Sequence, residues 1–213
     1  MLRDGQRRLP VDEWIDKLAP KVSELREALI DIPPKEIAWR SGAILGNDWL
    51  HLTMLFQPYQ VDVRTFSVCK PDGSELPSFF QSLVLTYLTT ANGAASADRW
   101  IGFRELPNGT FYHQAFQGYA PNRLTQRWGL DLDGFVAACR SLDGMELELG
   151  DAGFAFRVLP RIEMAAVYWL GDEDFPSRAS ILFDANAHFY MVTDGLAILG
   201  NQLVGKILKA GPK

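Results

Sequence analysis

The apolar positions of this chain recur at two different periods. Val11, Trp14, Ile15, Leu18, Val22, Leu25, Leu29 and Ile32 return at three and four, the spacing of one helix face. Pro20 interrupts the run. It predicts a kink or two short helices, because an interior proline removes a backbone donor and collides with the preceding turn. Pro33-Pro34 ends the pattern. Strands are expected next. Gly46-Asn47-Asp48 supplies turn chemistry between residues 43–45 and 49–56. In the second stretch Leu50, Leu52, Met54 and Phe56 share one face, and Trp49, His51, Thr53 and Leu55 the other. A further extended stretch, 61–68, runs to the turn Pro71-Asp72-Gly73. Leu76, Phe79, Phe80, Leu83, Val84, Tyr87 and Leu88 then trace an amphipathic helix with Pro77 in its first turn.

Residues 100–116 read as a hairpin, because Asn108-Gly109 is a strong tight-turn signal. That hairpin would pair Leu106 with Phe111, Glu105 with Tyr112 and Arg104 with His113. Helices are expected around 122–128 and 132–142, and strands at 146–149, 154–158, 162–170 and 179–183. The stretch 162–170 is apolar on both faces apart from Glu163, as a central strand should be. A last helix from Thr193 carries Leu196, Leu199, Leu203 and Ile207 inward. The small residues of 91–97 suggest a mobile surface loop. Strands and helices alternate without βαβ regularity, so the expected class is α+β: a mainly antiparallel sheet packed by several helices, with N- and C-terminal helices. Residues 1–34 are expected to form an N-terminal helical segment packing on a single α+β domain over 35–213.

Composition narrows the function classes. Against 21 Lys and Arg stand 26 Asp and Glu, a net charge of −5, so a nucleic-acid surface is not expected. The one basic cluster, Arg3, Arg7 and Arg8, is followed at once by Asp12, Glu13 and Asp16. Thirteen Phe, six Trp and six Tyr are the payload of an ordered core. Cys69 and Cys139 stand alone, so no iron–sulfur cluster or structural zinc is expected from the cysteines of this chain. Cys139 shares an apolar helical face with Leu132, Phe135, Val136 and Leu142 and reads as a buried thiol. No apolar stretch approaches a membrane span, and the residues after Met1 are charged rather than apolar; the expected location is the cytoplasm. No phosphate loop, dinucleotide fingerprint or nucleophile elbow is present.

Three spots carry candidate chemistry. Arg104 and Glu105, adjacent on a strand, would face opposite ways, with Glu105 on the apolar face of Ile101, Phe103, Tyr112 and Phe116. A carboxylate there needs a partner, since unpaired burial costs several kcal/mol; it is either a structural ion pair or a ligand contact. Asp172, Glu173 and Asp174 follow the central strand, between Trp169 and Phe175. They form either a solvated acidic turn, anchored by Phe175, or oxygen ligands for Mg²⁺ or Ca²⁺. Asp184 ends a strand and can cap the following turn, while His188 is a candidate proton acceptor. His51, His113 and His188 would make a metal site only by converging from distant positions. The candidate ligand-binding set is Arg104, Glu105, Tyr112, His113, Trp169, Asp172, Glu173, Asp184 and His188.

The segments Leu159-Pro160-Arg161, Trp169 with Gly171-Asp172-Glu173-Asp174-Phe175-Pro176, Ile181-Leu182-Phe183-Asp184, and Trp100-Ile101-Gly102-Phe103-Arg104-Glu105-Leu106-Pro107 together resemble the domain-of-unknown-function 3786 family. So does the helix opened by Leu76-Pro77-Ser78 and ending in Tyr87-Leu88. The resemblance runs from about Lys35 to Leu208. It implies a bacterial or archaeal protein with no established activity, in a neighbourhood of anaerobic redox or corrinoid metabolism. Some relatives are similar to fusions with a cysteine-rich iron–sulfur segment, whose cysteines this chain lacks.

The expected function is therefore a binding or accessory module for a small molecule or a partner protein; which cofactor, if any, and which oligomeric state stay open. A metal-assisted or acid/base enzyme using Asp172, Glu173 and Asp184 is the first alternative, and requires those groups to converge. A structural homo-oligomer is the second.

Overall fold

The computed structural model describes residues 21–211. Val11, Trp14, Ile15, Leu18 and the expected break at Pro20 lie outside them. The rest of the first helical run forms α1 (Val22–Ile30), which buries Leu29. Pro33-Pro34 ends it, yet Pro34 also opens a helix the apolar period does not announce, α2 (Pro34–Ser41). A proline at the first helical position loses nothing, because the N–H it lacks has no intrahelical partner there. Helix α2 ends on Gly42 at φ 72, a left-handed cap that glycine takes freely.

The first sheet is antiparallel in the order β1 (Ile44–Leu45), β2 (Trp49–Met54), β3 (Gln57–Asp62), β4 (Val68–Cys69). As the alternation requires, Leu50, Leu52 and Met54 are buried. The alternation stops one turn earlier than expected. Leu55 and Phe56 form the β2–β3 tip with both φ angles positive, 49° and 68°, a conformation bulky residues rarely adopt. The stretch expected to be extended, 61–68, is instead bent after Asp62, whose Oδ1 accepts the amides of Arg64 (2.8 Å) and Thr65 (2.7 Å). Helix α3 (Ser78–Thr90) follows and buries the predicted Phe79, Leu83, Val84, Tyr87 and Leu88.

The second sheet is also antiparallel. Its strands are β5 (Trp100–Gly102), β6 (Met145–Leu147), β7 (Ala152–Leu159), β8 (Ile162–Trp169) and β9 (Arg178–Asp184), in the order β5-β9-β8-β7-β6. Strand β8 is the middle one, as its two apolar faces predict. The hairpin expected over 100–116 does not form. Only Trp100–Gly102 is extended, pairing Ile101 with Phe183. Tight turns at Phe103–Glu105 and Gly109–Phe111 follow, then α4 (His113–Tyr119). A two-residue type I′ hairpin needs positive φ at both central residues. Here Asn108 has it, at 61°, but Gly109 serves another purpose: a Cβ on it would lie 1.9 Å from the Phe103 carbonyl oxygen. Phe103 thereby stacks on Phe116 with ring centroids 4.3 Å apart, and both rings meet Phe183.

Helices α5 (Pro121–Trp128) and α6 (Leu132–Arg140) match expectation. Asp131 caps α6 by accepting the Gly134 amide at 2.9 Å, and Cys139 is buried. Helix α7 (Thr193–Ala210) buries Leu196, Leu199, Leu203 and Ile207 completely. The class is α+β with helices at both ends. The sheets join directly: the Leu55 amide donates to the Val158 carbonyl at 2.8 Å, and Phe56 packs edge-on against Phe156. No helix among the described residues is long and apolar enough to cross a membrane.

Candidate functional site

The β7–β8 hairpin, the 91–98 loop, Gly42 and the end of β9 enclose a cleft of about 530 Å³, within the usual size of small-molecule sites. Its walls carry Arg157, Arg161, Glu163, Asp184, Asp98 and Ser96. Pairing explains the convergence. Arg157 on β7 faces Glu163 on β8, and their side chains bond at 2.8 Å. One step beyond the Met164–Phe183 pair, Glu163 and Asp184 occupy neighbouring strands. Asp184 is 8% exposed, and its oxygens accept the Ser96 hydroxyl (2.8 Å) and the amides of Ala97 (3.0 and 3.1 Å) and Asn186 (2.9 Å). It thus caps the turn after β9, as predicted, and also holds down the loop 91–97. That loop is not the free segment its small residues suggest: the Tyr190 hydroxyl donates to the Ala94 carbonyl and Asn186 Nδ2 to the Ala95 carbonyl.

The opposite wall is set by Tyr87. Its ring is fully buried; its hydroxyl donates to the Ser41 carbonyl and accepts the Arg161 amide at 3.0 Å. Burial raises the ionisation of this phenol well above its ordinary range, against the opposing pull of the Arg161 amide and charge. Burial also raises Tyr190, with Arg161 opposing the rise and Asp184 adding to it. Both tyrosines are therefore neutral hydrogen-bonding posts. The Arg161 side chain lies across Gly42, where a Cβ would come within 3.0 Å of its Nε, and Nη2 donates to the Trp39 carbonyl at 3.3 Å. A guanidinium at the C-terminal end of α2 meets the negative end of that helix's dipole. Gly42, Arg157 and Pro160 also border a second recess, of about 350 Å³, that reaches His51 and Tyr59.

The other predicted residues are dispersed. Arg104 and His113 share a recess with Gln117 and Ser180; these two also border the recess of Trp169 and Arg178, whose guanidinium lies 5.9 Å from the indole centroid. Arg104 and Glu105 are not in a strand and do not pair. Glu105 is exposed and folds back to accept the Gly102 amide at 2.7 Å. Tyr112, exposed rather than on an inward face, meets His188 in a third recess rimmed by Phe111 and Val192. His113 and His188 donate to the carbonyls of Thr110 and Ala185, and His51 lies in the recess near Tyr59, so the three histidines do not converge.

The acidic loop is a turn closed on itself. Asp172 Oδ1 accepts the amides of Asp174 and Phe175, Glu173 points to solvent, and Phe175, expected to anchor the loop, is 70% exposed. Asp172 and Glu173 follow Trp169, which pairs with Arg178 at the start of β9, whereas Asp184 ends that strand. Seven residues of β9 at roughly 3.3 Å each put about 20 Å between the two ends. The trio Asp172, Glu173 and Asp184 therefore does not assemble. Among the described residues no three His, Cys, Asp or Glu side chains form a group that could hold a metal ion.

Arg157, Arg161, Glu163, Asp98 and Ser96 were absent from the sequence-based set. A signal for two of them was available: Arg157 and Glu163 stand symmetrically about Pro160, as partners across a tight hairpin do. Neither curated proteins nor solved structures yield a match to this chain. The model of the domain of unknown function DUF3786 matches residues 33–206, both sheets and all helices from α2 to most of α7, and the chain belongs to that family.

Proposed function

We propose that this protein is a binding or accessory module that receives a small polar molecule in the Arg157–Arg161–Asp184 cleft. One observation carries the reading: a ligand-sized cleft whose walls converge from four separate segments, with Asp184 held by the Ser96 hydroxyl and backbone amides and the Arg161 backbone held by the buried Tyr87 hydroxyl. Preorganisation of that kind lowers the ordering cost of binding. The strand positions of Asp184 and Glu163 keep the two carboxylates fixed, but Asp184 is occupied by four donor contacts and Glu163 by Arg157, which favours holding a ligand over shuttling a proton.

The test is a thermal-shift screen of small polar metabolites, with every hit mapped by amide chemical shifts in ¹⁵N-labelled protein. The expected result is a hit that moves the amides of 94–98, 157–163 and 184–186 together. Hits that leave those amides still, or map only to the Phe111–Tyr112–Val192 recess, overturn the proposal.

A further inference from the structure

The charges of the cleft are not equally engaged. Arg157 and Glu163 neutralise each other at 2.8 Å. Asp184 is saturated by Ser96, Ala97 and Asn186, close to the number of hydrogen bonds a carboxylate accepts. Two groups remain. Arg161 spends one N–H on the Trp39 carbonyl out of five donors, and among the described residues no carboxylate lies within 4.0 Å of it. Asp98 is held in the left-handed region at φ 50°, with its amide on Ser96 Oγ at 3.1 Å. Its carboxylate has no cation within 4.0 Å among the described residues. The cleft thus offers one open positive and one open negative charge, not joined to each other.

A simple anion would satisfy Arg161 and be repelled by Asp98 and Asp184; a simple cation would satisfy Asp98 and be repelled by Arg161. Building on the binding cleft proposed above, we infer that its ligand is a small zwitterion, a molecule with a carboxylate for Arg161 and an ammonium for Asp98. Gly42 is part of the design. A side chain there would crowd Arg161 at its Nε, 3.0 Å from the added Cβ, whereas glycine leaves that space clear. The Tyr87 hydroxyl fixes the Arg161 backbone, and the Trp39 carbonyl holds its guanidinium by one hydrogen bond.

The experiment titrates the full chain with the ω-amino acids from glycine to 6-aminohexanoate, alongside butanoate, butylamine and inorganic phosphate, and reads amide shifts at 94–98 and 157–163. At least one amino acid should saturate those shifts. The matched acid, the matched amine and phosphate should bind about tenfold more weakly or worse, the loss expected for one charge-assisted contact. Arg161→Gln and Asp98→Asn should each cut affinity for the amino acid by about the same factor. Both variants should keep the parent far-ultraviolet dichroism. Butanoate or phosphate binding as well as the amino acids overturns the inference, as does a response to Arg161→Gln without one to Asp98→Asn. If no charged probe shifts these amides but a hit from the metabolite screen does, the zwitterion inference fails and the cleft reading stands; silence in both experiments sinks both.

Discussion

Replacing Asp184 with alanine should be among the most damaging single changes outside the apolar core. The carboxylate is 8% exposed and receives the Ser96 hydroxyl and the amides of Ala97 and Asn186, all at 2.8–3.1 Å. Hydrogen bonds to a charged acceptor contribute about 1.5–3 kcal/mol each. Three donors would sum to more than the variant should lose, because the 91–97 loop can lift and give part of its polar surface to water. A net cost of about 3–5 kcal/mol is expected. For a chain of this length each kcal/mol moves the melting point by about 2–4 °C, so the melt should fall by about 6–20 °C. Asp184→Asn, which keeps one acceptor oxygen, should lose about half as much. Thermal melts of parent and both variants measure this, and hydrogen exchange of the Ala97 amide localises it: exchange should accelerate sharply in Asp184→Ala. A variant that melts within about 2 °C of the parent, with Ala97 still protected, would refute the view that this carboxylate holds the loop.

Three further outcomes are expected. Tyr87→Phe leaves the Ser41 carbonyl and the Arg161 amide without their shared hydroxyl and should cost about 1–3 kcal/mol in urea denaturation; no loss would remove Tyr87 as the tie between α3, α2 and the β7–β8 turn. Gly42→Ala meets both a positive φ and a 3.0 Å approach to Arg161; it should lose about 1 kcal/mol and displace the guanidinium, and an unchanged Arg161 side-chain resonance would contradict it. Burial raises the Cys139 thiol above its ordinary 9.0 and the Tyr119 phenol from 10.0 to about 12. Because the fold favours their neutral forms, that stabilisation is complete at neutral pH and declines as pH rises from 9 through about 12. Urea midpoints that stay level from pH 8.5 to 11.5 would argue against it, as would labelling of Cys139 in the native protein at pH 8.

The amphipathic elements were legible because burial and period coincide. Helix α3, the central strand β8 and the inward row Leu196, Leu199, Leu203, Ile207 of α7 all follow from spacing alone, since each turns one continuous apolar face to the same core. The failures have local causes. Asn108-Gly109 looks like a hairpin because glycine is read as permission for positive φ; here it is needed for want of a Cβ, against the Phe103 carbonyl. Pro34 looks only like a terminator, though a proline that ends one helix can begin the next. Of the candidate site, Asp184 could be found, because an aspartate closing a strand has a turn to cap. Its neighbours could not be placed beside it: Ser96 and Ala97 are nearly ninety residues away in sequence, and only the β5–β9 pairing and the loop before it bring them together. The acidic loop attracted attention by charge density alone, and its leading carboxylate is engaged by its own backbone.

The β2–β3 tip has a bearing on how the protein assembles. Leu55 and Phe56 hold left-handed backbone because they are the two-residue tip between the paired Met54 and Gln57, where a tight hairpin requires positive φ at both positions; the same tip reaches the other sheet through the Val158 carbonyl and the Phe156 ring. The hairpin between β2 and β3 can therefore set this geometry by itself, but the Leu55 amide and the Phe56 ring find their partners only where β7 meets them. Because the tip of one sheet docks on a strand of the other, the two should unfold in one transition rather than in succession.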